Sequence, residues 1–251
     1  MNDMKTILLF MMATGIVMLS FLRCNAQKEE NTSVLLVSGG HDFEEDLFYD
    51  VFDSLQNITY DTATQPRGNE LIASPSVNNY DVLVFYDMYD SITAAQQKAY
   101  TNLLNKGKAM IFLHHALVSY QHWEEFKNII GGKYYQTAQI VNGDTLKSTY
   151  EHDLTIPVKV EDTTHPVTSG IQDFEIFDEI YGHCEILPTV EPLLSTSYAE
   201  SIPYLAWINP YGNSDVLYIQ LGHGPKAYAN PNYRKLIQQV IHWSAKQHSP
   251  E

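Results

Sequence analysis

Hydrophobic positions in this chain fall into two kinds of run. Ser33 to Ser38 (SVLLVS), Asp81 to Tyr86 (DVLVFY) and Lys108 to Leu113 (KAMIFL) are short, nearly continuous and rich in branched residues. That pattern predicts strands buried on both faces. Between them apolar residues recur at helical spacing. Leu47, Phe48, Val51, Phe52 and Leu55 mark a helix over Glu44 to Gln56, with Glu44, Glu45 and Asp46 in the first turn, where the helix dipole favours negative charge. Thr93, with Gln96 three residues on, predicts an N-cap for a helix that runs to about Lys106 and stops at Gly107. His122 to Ile130 reads as a short helix closed by Gly131-Gly132. Strands alternating with helices imply a parallel sheet covered on both faces.

The middle of the chain alternates differently. Tyr134 to Val141 and Asp144 to Tyr150 flank Asn142-Gly143, a pair suited to the positive φ angles of a type I′ turn, so a hairpin is expected. Leu154 to Glu161 and Phe174 to Ile180 are further extended runs. Pro203 to Ile208, a turn at Tyr211-Gly212-Asn213 and Asp215 to Leu221 return the chain to the sheet. Asn230-Pro231 then opens a last helix to about Lys246. These elements make one domain over residues 31–247, with a β-rich insertion near residues 134–190.

Thr6 to Leu22 carries no charge and follows Lys5, and small residues at Cys24 and Ala26 suit a signal-peptidase cut after Ala26. A secretory signal over residues 1–26 is therefore expected, ahead of lipidation at Cys24 or a retained anchor, with no membrane span in the mature protein. Its removal takes away Lys5, Arg23 and Asp3 and moves the formal charge from −15 to −16. A chain with 15 Lys and Arg against 30 Asp and Glu would repel a polyanion, which excludes nucleic acid as a natural partner. A neutral substrate or a cation fits better. Only Cys184 then remains, so no internal disulfide can form.

Ten histidines are the unusual feature. In open parallel α/β sheets ligands bind beyond the carboxyl ends of the strands, and the expected strands end in Gly39-Gly40-His41, Asp87, His114-His115 and Gly222-His223. His41, His114 and His223 are candidate ligands of a divalent metal such as zinc or manganese, and His115, Asp87 and Glu179 are candidate proton-transfer groups. His152-Asp153, His165-Pro166 and Asp178-Glu179 with Tyr181 each place a donor or acceptor near an imidazole or a carboxylate. With 17 Tyr and three Trp in the chain, Tyr181 and Trp207 are candidates for stacking on sugar rings, beside His152 and His165 as further substrate contacts. No HExxH, CxxC or GxxxxGK[ST] motif occurs, which removes the usual support for zinc-protease, zinc-ribbon and nucleotide-triphosphate chemistry, and no nucleotide cofactor is expected. Where a nucleophile elbow would hold Ser or Cys stands His114, and Cys184 has no elbow around it.

Taken in order, SGGHDF (38–43), FLHHA (112–116), WEEFKNIIGG (123–132), HPVTSG (165–170), DEIY (178–181), Ala206-Trp207 and LGH (221–223) resemble the ThuA-like family, named for trehalose utilisation. The resemblance spans nearly all of the mature chain. It implies a flavodoxin-like, class I glutamine amidotransferase-like fold, a three-layer α/β sandwich with a mostly parallel central sheet, lacking the amidotransferase cysteine. It also implies a role in sugar metabolism, often beside oxidoreductases that make keto-sugars. The hairpin between Gly132 and His152 departs from the simplest family pattern. The expected protein is an exported carbohydrate-processing enzyme that hydrolyses, eliminates or isomerises a glycoside or keto-sugar in a His-rich pocket. The alternative is a sugar-binding module without turnover.

Overall fold

The computed structural model describes residues 31–141 and 143–247. The expected signal, its cleavage site, Cys24 and Asn142 of the expected turn lie outside them. In chain order the first half comprises β1 (Thr32–Gly39), α1 (Glu45–Asp53), β2 (Ile58–Thr64), α2 (Arg67–Ile72), β3 (Val82–Asp87), α3 (Ala94–Leu104), β4 (Ala109–Leu113) and α4 (Glu124–Ile130). Short 3-10 turns lie at Pro75–Asn79 and His114–Val118. The second half comprises β5 (Gly132–Lys133), β6 (Gln139–Val141), β7 (Asp144–Leu146), β8 (Thr149–Val160), β9 (Phe174–Gly182), β10 (Glu185–Ile186), β11 (Glu191–Ser195), β12 (Tyr204–Tyr211), β13 (Ser214–Ile219), α5 (Pro225–Tyr228) and α6 (Pro231–Gln247).

Nine strands form one sheet in the order β2-β1-β3-β4-β13-β12-β11-β8-β9. From β2 to β13 neighbours run parallel, and from β13 to β9 they run antiparallel, so the sheet is mixed. The β-rich segment is thus largely an extension of the main sheet: β8 and β9 continue it, and among the described residues the pairs β6-β7 and β5-β10 alone stand apart. The expected hairpin is correspondingly short, at 139–141 and 144–146, because Thr149 and Tyr150 are taken into the twelve-residue β8. β2 was not foreseen. Its sequence ITYDTAT buries only Ala63, so an edge strand of this kind lacks the apolar run that marked the others.

Strand alternation distributes the core to the two faces. Val34, Leu36, Val82, Val84 and Tyr86 pack on one face with Phe48 and Phe52 of α1 and Leu236, Ile237 and Val240 of α6. Leu35, Val37, Leu83, Phe85 and Phe112 face the other side with Ile72 of α2, Tyr100 of α3 and Phe126 and Ile129 of α4. Three layers result. The helix signals act as expected from their chemistry: Thr93 and Gln96 complete a reciprocal capping box, Gly131 closes α4 in the left-handed region, and Asn230 Oδ1 accepts from the amides of Asn232 and Tyr233 at the start of α6. Among the described residues no helix is long and apolar enough to cross a membrane.

Candidate functional site

A cavity of about 760 Å³ opens at the carboxyl end of the parallel strands, between the β1, β4 and β13 loops and the antiparallel extension. Each strand-end loop reaches it through an unusual backbone step. Gly40 holds φ +85°, and a Cβ there would lie 1.9 Å from the Met88 carbonyl oxygen, so only glycine lets the chain turn to present His41. Gly222, at φ +111°, is pressed against the Tyr233 hydroxyl and sets up His223 in the same way. His114 itself adopts φ +48°, an uncommon conformation for a side-chain-bearing residue, at the turn where the sequence suggested an elbow. Opposite these loops, β8 pairs Glu151 with Ile180 and Leu154 with Asp178, one residue too many on the β8 side. The resulting bulge contains His152 and Asp153, the latter at φ +65°, and turns His152 to the cavity wall.

At the floor of the cavity three side chains converge. His114 Nε2 lies 3.2 Å from His223 Nδ1 and 3.8 Å from Glu179 Oε1, and Glu179 Oε2 is 3.0 Å from His223 Nδ1. In a tetrahedral site with donors 2.0–2.1 Å from zinc, the donors are separated by about 3.3–3.4 Å. The His114–His223 edge of 3.2 Å is close to that value, Glu179 reaches the two rings through different carboxylate oxygens, and the group, with His114 and Glu179 buried and His223 half-buried, could hold a metal ion. The supporting shell has the form such sites use. His114 Nδ1 donates to the Gln220 carbonyl at 2.5 Å, which leaves the Nε2 lone pair directed into the group. Asp178 accepts from the amides of Gly222 and His223 at 2.7 and 2.8 Å and so anchors the loop that carries His223.

Burial sets the charge state. It pushes His114 down to about 3 and lowers His223, so both imidazoles are neutral, as ligation requires. It raises Glu179 to about 7, with the neighbouring Asp178 adding to the shift, and raises Asp178 to about 6. A divalent cation would reverse that strain by replacing the proton on Glu179.

The donor group differs from the set read from the strand ends. Glu179 takes the third place that His41 was expected to fill; His41 instead stacks on His115 with ring centroids 4.7 Å apart, and its Nδ1 donates to the Asp42 carbonyl. His115 lines the cavity, and burial holds it well below its usual value. Tyr181 lies over His114, its hydroxyl 3.3 Å from Nε2. His152 lines the rim, stacked nearly parallel on His223 and bonded through Nδ1 to Asp153 at 2.7 Å. Three candidates lie off the cavity wall. Asp87 is fully buried in a network with Gln65, Trp207 spends its indole N–H on the Ile130 carbonyl, and His165 packs on Trp243 while its Nδ1 accepts from the Val167 amide. Asp178 and Glu179, which could have formed a solvated strand edge, are instead both buried. Burial raises the Cys184 thiol to about 12, which keeps it protonated and a poor nucleophile.

Tyr134, one of the aromatic residues suited to stacking on a sugar ring, lines the cavity; sequence reasoning missed Gln136, Lys147, Thr149 and Tyr150, which complete the wall from the segment after α4. The signal available was their position beside the Asn-Gly turn, in the segment that departs from the simplest family pattern. Residues 33–244 match the family described as ThuA, trehalose utilisation. No curated protein matches the chain. Its fold is similar to that of a protein described as ThuA-like from Parabacteroides merdae, with a TM-score of 0.72, 14% identity, and 86% of this chain and 90% of that one covered. A second, from Bacteroides uniformis, gives 0.64 and 18% over 88% and 94%. The same fold occupies part of a β-galactosidase from Bacillus circulans, with a TM-score of 0.56 and 12% identity over 86% of this chain but 31% of that enzyme.

Proposed function

The chain belongs to the ThuA family, and from that premise we propose that it is an exported carbohydrate-processing enzyme acting on a glycoside or keto-sugar beside a divalent metal ion. The convergence of His114 Nε2, His223 Nδ1 and Glu179 at the floor of a 760 Å³ cavity carries the reading. A bound divalent ion supplies Lewis acidity toward a sugar oxygen or a water. The protein supplies the rest. Tyr181 and Tyr134 offer amphipathic walls to the apolar faces of a sugar ring, and Gln136, Lys147 and Thr149 offer groups for its hydroxyls. His152, with Nδ1 engaged by Asp153, presents Nε2 to take up or return a proton at the rim, and His115 closes the opposite wall. Hydrolysis, elimination and isomerisation each need a polarised oxygen and a nearby proton acceptor. The charge-free run at Thr6 to Leu22 supports action after export.

Metal analysis of protein purified with zinc or manganese should show about one equivalent, retained by wild type and lost in a His114→Ala, His223→Ala double variant whose circular dichroism is native. Incubation with glycosides and their keto forms, followed by mass spectrometry, should give a product only with the wild type. Equal turnover after complete metal removal would leave acid-base chemistry without the ion. Binding of sugars with no product under any added metal would make the protein a sugar-binding module.

A further inference from the structure

A second chamber of about 320 Å³ lies on the far side of the His152–His223 ring pair, lined by Glu44, Phe177, Gly224 and Lys226, and both histidines border both spaces. β9 runs past this junction. Phe177, Glu179 and Tyr181 are alternate residues of that strand and share a face. Phe177 lines the side chamber, whereas Glu179 and Tyr181 line the main cavity. At roughly 3.3 Å per residue, the Cα atoms of these two aromatic residues are thus about 13 Å apart, with Glu179 of the donor group between them.

From this arrangement, and resting on the carbohydrate reading above, we propose that the side chamber is a subsite for a second, uncharged ring attached to the sugar held in the main cavity. The bond joining the two rings then passes His152, His223 and Glu179, where the chemistry is placed. Three features favour such a group. The chamber volume falls at the lower end of the roughly 300–1,000 Å³ typical of small-molecule sites, enough for one ring but small for a long chain. Its charged walls include Glu44 and Asp153 as well as Lys226, which disfavours an anionic substituent. Phe177 offers a flat apolar face on which exposed Lys226 now rests, with Nζ 3.6 Å from the ring centroid. A ligand ring can take that face while the lysine swings out to meet a hydroxyl.

The chamber can be closed without altering the donor group. Gly224 has extended backbone, φ −164°, and a Cβ there would meet nothing nearer than Glu44 Oε2 at 4.0 Å, so a Gly224→Phe side chain has room to enter the chamber. Binding of methyl glucoside, phenyl glucoside and glucosyl-glucose disaccharides, each in both anomeric forms, is measured by titration calorimetry on the full mature protein. Phenyl glucoside or a disaccharide should bind at least about tenfold tighter than the methyl glycoside, a modest return for burying one more ring. Gly224→Phe and, separately, Phe177→Ala should remove that preference while methyl glucoside affinity is unchanged. The phenyl and disaccharide arms tell whether the ring is aromatic or a second sugar. Equal affinity for all three ligands, a preference that survives both variants, or loss of methyl glucoside binding in both variants would overturn the subsite and leave the carbohydrate reading intact. Absence of binding by every sugar would overturn both.

Discussion

Two clusters of polar groups sit at the carboxyl ends of neighbouring strands, β3 and β4, and they differ in what surrounds them. The β4 end leads into His114, which meets Glu179 and His223 beneath the open cavity. The β3 end places Asp87 on the face it shares with Leu83 and Phe85, under α2 and α3. There Gln65 donates to Asp87 at 2.7 Å, and Asn69 accepts from the hydroxyls of Tyr100 and Tyr120 at 2.8 and 2.9 Å. The second cluster is closed to solvent and bonds mainly within itself. The first gathers its nitrogen and oxygen atoms beside a space a ligand can enter. A strand end brings a polar residue to the ligand edge of an α/β sheet, but the face it points to decides whether it meets a cavity or the core.

Replacing the central carboxylate of each cluster should separate these roles. Glu179→Gln keeps the shape and removes the anionic donor, so zinc or manganese affinity should fall by more than about 100-fold by calorimetry, beyond what loss of a supporting group usually costs. The metal-free variant should be no less stable than wild type, because a buried carboxyl with a raised value is costly to ionise. Unchanged metal affinity would remove Glu179 from the donor set.

Asp87→Asn should do the reverse, leaving metal and sugar binding alone while changing stability with pH. Burial raises Asp87 to about 7, so between about pH 4 and 7 the unfolded chain releases this proton while the folded chain keeps it. The unfolded state therefore binds fewer protons, and stability falls as pH rises through that window. The Asn variant, which cannot ionise, should be more stable than wild type at pH 8 by on the order of a few kcal/mol relative to their difference at pH 4. Asp178 and Glu179, raised to about 6 and 7, keep part of the slope in the variant. Urea denaturation at the two pH values measures the change, and identical pH profiles would show that Asp87 does not hold its proton on folding.

Trp207 gives the smallest effect and the plainest control. Its indole N–H donates to the Ile130 carbonyl at 2.7 Å, and the ring is wholly buried in the core on the α4 side of the sheet. Trp207→Phe should cost about 1–3 kcal/mol of stability by leaving that carbonyl without a partner, with sugar affinity unchanged. A selective loss of sugar binding at constant stability would return Trp207 to the site.

Much of the parallel half was legible because each element carries a local signal: continuous apolar strands, the Thr93–Gln96 capping box, the glycine after α4 and the Asn230-Pro231 helix start. The histidine-bearing strand ends were legible for the same reason. β2 was not, since an edge strand with one buried side chain has no apolar run to show. The joining of β8 and β9 to the main sheet was hidden too, because pairing between strands distant in sequence leaves no mark on either strand alone.

By itself, then, the sequence determined the alternation of strands and helices, the family motifs and the set of histidines that could reach one edge, because these follow from periodicity, turn chemistry and order along the chain. Tertiary structure alone brought Glu179 rather than His41 beside His114 and His223, turned Asp87 into the core under α2 and α3, and through a bulge in β8 brought His152 to the junction of two chambers. Those outcomes depend on which face each side chain occupies and on distances of 3–4 Å between strands far apart in sequence, and such distances exist only once the sheet has closed around them.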